Sequence, residues 1–341
     1  MPATVSAVVV SFADPEACWR AVESLLAQSV PPGEVLVVDN HPDGLTATAM
    51  SEWPADDRVQ LVHSGENLGY AAACNLAAAS AYGDWIFFLN PDAWADRECL
   101  ETLLGQVGSQ TGVAGAQVLL PDGRVNAGDN PVHLTGIAWA GRFGEPREHG
   151  APRPAASVSG AALLARTQAF RDLGGMCGRF FLYVDDVDLC WRMRLAGWHV
   201  LFVPDAVAWH DYEFDKGLGK WYWLERNRLW AVFSNYSGIT LMLLAPLLLV
   251  AELVVVCMAV REGWSGSLLR AWISLLLAVP ELRGWRRTVQ SARRASDSEL
   301  MELMSVRFQT SLLDSPLAVR AGPLIAVYRR ILLLLLRTLR R

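Results

Sequence analysis

Three carboxylates stand within four positions, Asp185, Asp186 and Asp188, directly behind the aromatic run Phe180-Phe181-Leu182-Tyr183. Neighbouring carboxylates raise a carboxyl's pKa while a helix N-terminus lowers it, so the sequence leaves the net sign open; a carboxylate held here could serve as a general base. The segment runs on through Leu189 and Met193 to Gly197 with the spacing of a helix whose buried face carries Leu189, Met193 and Ala196. Asp188 and Arg192 are four apart with the acid first, the favourable orientation for a helical ion pair, and Asp185 stands where an N-cap would. Those two acids have structural uses. Asp186 has none, and its place three residues before Leu189 turns it toward the body of the protein.

Other polar residues end apolar runs. Asp39 closes Glu34–Asp39 (EVLVVD). A carboxylate there can accept the imide N–H of uracil or thymine, or it can form the turn that Asp-Asn40 often begins. Gly65-Glu66-Asn67-Leu68-Gly69-Tyr70 leads into an Ala-rich helix containing Asn75. Such a loop lets backbone approach a ligand and gives an anion a helix N-terminus, though an ordinary loop-to-helix junction reads the same way. The loop lacks the G-x-G-x-x-G spacing of dinucleotide folds, which argues against an oxidoreductase. Asp92, in Asn90-Pro91-Asp92, is placed by a rigid turn. It offers a hard oxygen ligand for Mg²⁺ or Mn²⁺ across two phosphates, or it is a turn residue only. His210, behind Ala208-Trp209, is either a further metal ligand or a surface histidine.

Short apolar runs that alternate with helical stretches must position these groups. The pattern predicts strands over Val5–Ser11, Glu34–Asp39, Arg58–Ser64 and Trp85–Leu89, and helices over Pro15–Gln28 and Tyr70–Tyr82. That alternation implies an α/β fold, a Rossmann-like, mostly parallel sheet with helices on both faces. Ligands of such sheets bind beyond the carboxyl ends of the strands, where Asp39, Asn40, Asn67 and Asp92 fall. The Gly-, Pro- and Arg-rich stretch 121–154 reads as a long irregular loop over that side.

In order, VVVSF, VLVVDN, GENLGYAAACN, FFLNPDA, SGAALLAR (Ser159–Arg166) and FFLYVDDVDLCWRMRLAGW resemble the family 2 glycosyltransferases of GT-A type, with greatest similarity to a bacterial rhamnosyltransferase-like subgroup. The resemblance covers about Val5 to Asn235. It implies a GT-A catalytic domain over residues 1–236 and an inverting transfer from a nucleotide-diphosphate sugar, a dTDP- or UDP-sugar with rhamnose first, to a hydroxyl of a glycan or polyprenyl-linked glycan in cell-envelope polysaccharide synthesis. It also implies that Asp39, Asn67, Gly69 and Asn75 lie along the nucleotide and that Asp92 holds Mg²⁺ or Mn²⁺. Asp186 is then the catalytic base, with Asp185 in place of the usual Glu. Ser159, Gly160, Asp185 and Arg226 become candidates for the sugar and acceptor side. The family's two-carboxylate metal motif has only Asp92 here, which makes His210 the natural helper. The Q-x-x-R-W motif of processive synthases is absent, so transfer of one sugar or few per encounter is expected. The competing use of the fold is a catalytically silent nucleotide-binding scaffold.

Composition divides the chain. Of 341 residues 52% are hydrophobic and 14 are tryptophan, and the net charge is −5. From Arg261 onward, 14 arginines face six acidic residues. These arginines lie among leucine runs, which favours an anionic lipid partner over nucleic acid. Six cysteines, scattered without metal or disulfide spacing, fit a reducing compartment. The N-terminus lacks a basic n-region before Val5–Val10, so no signal peptide is expected. Ile239–Val260 is apolar over a span's length but holds Pro246 and Glu252. A single crossing would put the basic tail outside, against the positive-inside tendency. Residues 237–341 are therefore expected to form a membrane-associated helical region, a platform lying in, or dipping into, the cytoplasmic leaflet of the bacterial membrane, with Leu324–Leu336 patterned as an interfacial helix. The other use of that apolar surface is a buried bundle or a homo-oligomer interface.

Overall fold

The first strand owes its place to a run of Val and Ala that buries both faces at once, as a central parallel strand must. It is β1 (Val5–Ser11), buried at every position. The computed structural model describes residues 3–212, 217, 219–307 and 316–339. In chain order there follow α1 (Pro15–Leu26), β2 (Glu34–Asp39), α2 (Leu45–Met50), β3 (Val59–His63), α3 (Tyr70–Ser80), β4 (Trp85–Leu89), β5 (Ala93–Ala95), α4 (Cys99–Gln106) and β6 (Thr111–Leu119). Then come β7 (Val125–Ala127), β8 (Asp129–Asn130), β9 (Arg153–Pro154), β10 (Ser157–Val158), β11 (Ala162–Arg166), α5 (Thr167–Asp172), α6 (Asp185–Leu195) and β12 (His199–His210). The remainder is helical: α7 (Lys220–Asn235), α8 (Gly238–Arg261), α9 (Ser265–Leu277), α10 (Val279–Ser291), α11 (Asp297–Met301) and α12 (Pro316–Leu339).

The main sheet has the order β3-β2-β1-β4-β11-β6-β12-β5, with β7 beside β6 and β9 beside β12. Strands β3, β2, β1 and β4 are parallel, as the alternating pattern predicts. The other half is mixed, because β11 inserts antiparallel between β4 and β6 while β12 runs parallel to β6. The register Ala162↔Leu89 brings the residues just before β11 to the carboxyl end of β4. Val5, Ala7, Val9, Val35, Val37, Phe87 and Leu89 pack with Cys18, Val22 and Leu25 of α1 and Leu100 and Leu103 of α4 in one core. Helix α1 starts from an Asp14 cap that accepts from the Ala17 N–H and ends at Leu26, two residues short of its apolar pattern.

The chain divides into two compact units. One is Met1–Asn130 with Ala140–Met193 and Trp198–Phe214; the other is Pro131–Trp139 with Arg194–Gly197 and Asp215–Arg341. The stretch 121–154 is mostly irregular but contributes β7, β8 and β9. In the first unit it is tied down by Arg153, which pairs with Asp129 at 3.0 Å and with Glu148, and by Arg142, which pairs with Glu145 at 2.9 Å. In the second unit, α8 is long and apolar enough to cross a membrane, and α9 and α10 meet at a 71° bend.

Candidate functional site

Asp39 ends β2 fully buried. Its Oδ1 accepts from the His41 N–H at 3.1 Å and its Oδ2 from the Ala47 N–H at 2.7 Å. The carboxylate thus shapes its own turn and anchors α2, and each oxygen retains a lone pair for a further donor. Asn40 clamps the glycine loop: its Oδ1 accepts from Leu68 N–H at 3.0 Å and its Nδ2 donates to Asn67 Oδ1 at 3.2 Å. Asn67 Oδ1 also accepts from the Gly69 N–H at 3.0 Å. Beside this turn, Phe12 stands 44% exposed with its ring 5.1 Å from that of His41. Sequence reasoning missed this aromatic pair, although Phe12 follows the first strand end directly.

Gly69 is required by geometry. Its φ is +74°, and a Cβ there would lie 2.5 Å from the Phe181 carbonyl oxygen. The Tyr70 N–H donates to that same oxygen at 2.8 Å. The glycine loop therefore buttresses the segment that leads into the acids of α6. The Tyr70 hydroxyl donates to the Gly160 carbonyl at 3.2 Å, tying in the turn before β11. Asn75 faces elsewhere: its Nδ2 donates to the Met176 carbonyl at 2.8 Å and its Oδ1 accepts from the Met176 N–H at 2.9 Å.

Helix α6 begins on Asp185 itself, with Val184 supplying the carbonyl that accepts the Asp188 N–H at 2.8 Å. Tyr183 and Val184 both have φ +68°, a left-handed pair that turns the chain abruptly into the helix. Such a backbone is costly for a β-branched residue. Asp188 pairs with Arg192 at 2.7 Å, both fully buried, as their spacing predicts. Asp185 is buried and accepts from the Asp186 N–H at 2.9 Å. Asp186 is partly exposed. Its Oδ2 accepts from the Gly160 N–H at 2.8 Å and its Oδ1 from the Val187 N–H at 2.7 Å. Burial, reinforced by the Asp186 charge, pushes the Asp185 carboxyl up to about 7. Burial also raises Asp186, opposed by the N–H groups of Gly160 and Val187. Near neutral pH the pair thus shares a proton, with Asp186 the member that reaches solvent. Gly160 makes this possible, since a Cβ there would crowd the Asp186 Cβ at 3.1 Å. The Ser159 hydroxyl accepts from the Ala161 N–H at 3.3 Å.

A second centre lies at the same end of the sheet. Asp92 Oδ1 is 3.0 Å from His210 Nε2, and His210 Nδ1 is 3.1 Å from Asn126 Oδ1 on β7. The Asn90 Nδ2 also stands 3.4 Å from His210 Nε2. In the tautomer whose Nδ1–H donates to Asn126, Nε2 and the Asp92 carboxylate are two ligand atoms that one cation could touch from the side. Asn126 lies in the stretch read as loop, where no local signal marks it. Among the described residues no group of three or more His, Cys, Asp or Glu is arranged to hold a metal ion. One carboxylate and one imidazole suit a divalent ion whose remaining ligands are phosphate oxygens and water. The two centres are joined through backbone: the Asn90 N–H donates at 3.0 Å to the carbonyl of Ala161, next to Gly160. Asn67, Gly69, Gly160, Asp185 and Asp186 are linked by the contacts above, and Asp92 and His210 pair next to them. Arg226 belongs to the second unit, where its Nε and Nη2 donate to Asn227 Oδ1 at 2.9 and 2.8 Å and its guanidinium covers the Trp223 ring at 4.6 Å.

A sheet whose strand ends gather a carboxylate pair, a glycine loop and a carboxylate–imidazole pair is the framework of a sugar-transferring enzyme. Residues 6–174 match the family model described as Glycosyl transferase family 2. Those residues carry a glycosyl transferase family 2 domain. It is 29% identical over 238 residues to the N-acetylglucosaminyl-diphospho-decaprenol L-rhamnosyltransferase of Mycobacterium tuberculosis (strain ATCC 25618 / H37Rv), covering 62% of this chain and 76% of that one. Its fold is shared with GalNAc-T7, solved with UDP, GalNAc and Mn²⁺ (TM-score 0.59, 14% identity, 69% of this chain and 48% of that chain). It is shared as well with a mannosyltransferase from Pyrobaculum calidifontis, solved in complex with GDP-Man and Mn²⁺ (TM-score 0.52, 18% identity, 86% of each chain).

Proposed function

We propose that this glycosyltransferase moves a sugar, rhamnose first among candidates, from a dTDP- or UDP-linked donor to a hydroxyl of a glycan, a lipid-linked glycan first, with inversion and with one sugar or few added per encounter. The observation that carries the proposal is Asp186, partly exposed, fixed by two backbone N–H groups and backed by a buried carboxyl that holds a proton near neutrality. Asp186 takes the proton of the acceptor hydroxyl. The acceptor oxygen forms its bond to the anomeric carbon as the bond to the departing diphosphate breaks on the opposite side. A single displacement with no sugar bound to the enzyme inverts the centre.

Asp39 and the Asn67–Gly69 loop border the nucleotide in this reading, while Asn75 supports the loop that follows α5. Asp92 and His210 would hold Mg²⁺ or Mn²⁺. Bound there, the ion would neutralise charge growing on the diphosphate. The acceptor class is drawn from the decaprenol-linked substrate in the mycobacterial relative's name. Residues 1–236 serve as the catalytic domain, and residues 237–341 hold the enzyme to the cytoplasmic face of the membrane.

Asp186→Asn tests the base. Turnover should fall about 10²–10⁴-fold, the usual contribution of a positioned base. Donor affinity, read by calorimetry, should stay within about twofold of wild type, well inside the range that a lost contact of ~1 kcal/mol would span. A variant that keeps its turnover within an order of magnitude removes Asp186 from the mechanism.

A further inference from the structure

Resting on the reading that the chain works at a lipid surface, we propose that α8 lies in the plane of one leaflet of an anionic membrane and does not cross it. Its length alone would permit a crossing: 24 residues rise about 36 Å against a hydrocarbon core of about 30 Å. Three observations within the second unit point the other way.

First, the middle of α8 is fixed to a polar helix. Glu252 pairs with Arg228 of α7, and Arg228 pairs at 2.7 Å with Glu225 and donates at 3.0 Å to the Thr135 carbonyl. Arg226, Asn227, Ser234 and Asn235 of α7 are buried as well. A crossing by α8 would draw this hydrogen-bonded polar helix to mid-bilayer depth. The start of α8 is held likewise, since Asp297 accepts from the Ser237 N–H at 2.9 Å and the Thr240 hydroxyl at 2.6 Å.

Second, α8 is apolar all round in sequence but two-faced in structure. Met242, Leu249, Leu253 and Val260, spaced by seven, four and seven, are each more than 60% exposed, while Leu244, Val255 and Ala259 are buried. A face exposed along one stripe suits an interfacial helix, whereas a lone span meets lipid on every side. Third, α9 continues that surface. Leu269, Ile273, Leu276 and Leu277 are exposed, with an apolar groove lined by Val256, Leu268 and Trp272 between α8 and α9.

The charges present say what covers this surface. Arg270 is exposed next to Leu269, and Arg283 and Arg287, four apart and so on one side of α10, are exposed beyond the 71° bend; they outnumber the exposed acids there, Glu281 and the Glu262 that pairs with Arg261 at 3.6 Å. Basic side chains beside an aliphatic stripe match anionic headgroups above acyl chains, whereas a second copy of the chain would set like charges against each other.

The test uses the full chain with a fluorophore on Leu249→Cys in a Cys257→Ser background, since Cys257 is the exposed cysteine of the six. Binding is measured to phosphatidylglycerol–phosphatidylcholine vesicles carrying quenchers shallow or deep in the acyl chain. The expected result is binding, stronger quenching at Leu249 by the shallow probe, release by alkaline carbonate, and about a hundredfold weaker binding for R270Q/R283Q/R287Q. Stronger deep quenching means that α8 crosses and overturns the proposal. Failure to bind, with self-association in solution through the same face, overturns it in favour of a second copy. Transfer to a detergent-dispersed acceptor is measured in parallel. Transfer without vesicle binding sinks the docking inference alone, and vesicle binding without transfer sinks the catalytic reading alone.

Discussion

Asp185→Asn separates the stability of the carboxylate pair from its chemistry. An aspartate in an unfolded chain titrates near 3.9. Burial pushes Asp185 up to about 7 in the folded chain. Between those values the folded chain keeps a proton that the unfolded chain has released. The stability from protonated Asp185 is therefore full below about pH 4 and is lost as pH rises to about 7. Three pH units correspond to on the order of 4 kcal/mol. Asparagine keeps the oxygen that accepts the Asp186 N–H and carries no charge at any pH. The variant should match wild type near pH 4 and exceed it by a few kcal/mol at pH 8, as measured by urea unfolding at a series of pH values. It should still transfer sugar, with its pH profile shifted, because the removed charge lies beside the proposed base. Parallel stability curves for the two proteins between pH 4 and 8 would refute the claim that Asp185 is a buried proton store.

Other substitutions probe the scaffold. Gly69→Ala must place a Cβ against the Phe181 carbonyl at φ +74°, so a loss of about 1–3 kcal/mol in stability is expected, with turnover falling as the segment before Asp185 shifts. Asn75→Ala should lower thermal stability by about 1–3 kcal/mol through its two bonds to Met176, leaving donor affinity in calorimetry unchanged. Asn126→Ala, which frees the His210 ring, should weaken Mn²⁺ binding about 10–100-fold, read by electron paramagnetic resonance of free Mn²⁺.

What the sequence made legible is what strands advertise locally. Asp39 and Asp92 could be picked out because an apolar run stops at them, and the Asp188–Arg192 pair because helical spacing announces it. Asp186 emerged by elimination, and its anchor Gly160 entered only through family resemblance. The antiparallel insertion of β11 was hidden, since pairing Ala162 with Leu89 is a long-range choice with no local signature. Asn126 was hidden for the same reason, lying 84 positions from the histidine that it orients. Glu252 read as a defect in an apolar stretch. Its partner Arg228 sits on the preceding helix, 24 positions away, where periodicity gives no hint of the match.

The left-handed pair Tyr183–Val184 ties heat resistance to turnover. A valine at φ +68° directly before the proposed catalytic acids holds strain that glycine would release. Selection of this enzyme for survival at high temperature should therefore find Val184→Gly early. The same change would loosen the chain that aims Asp186, so the hardier descendants should be the slower ones. That bounds how far directed evolution can raise the melting point through position 184 once turnover is also selected for.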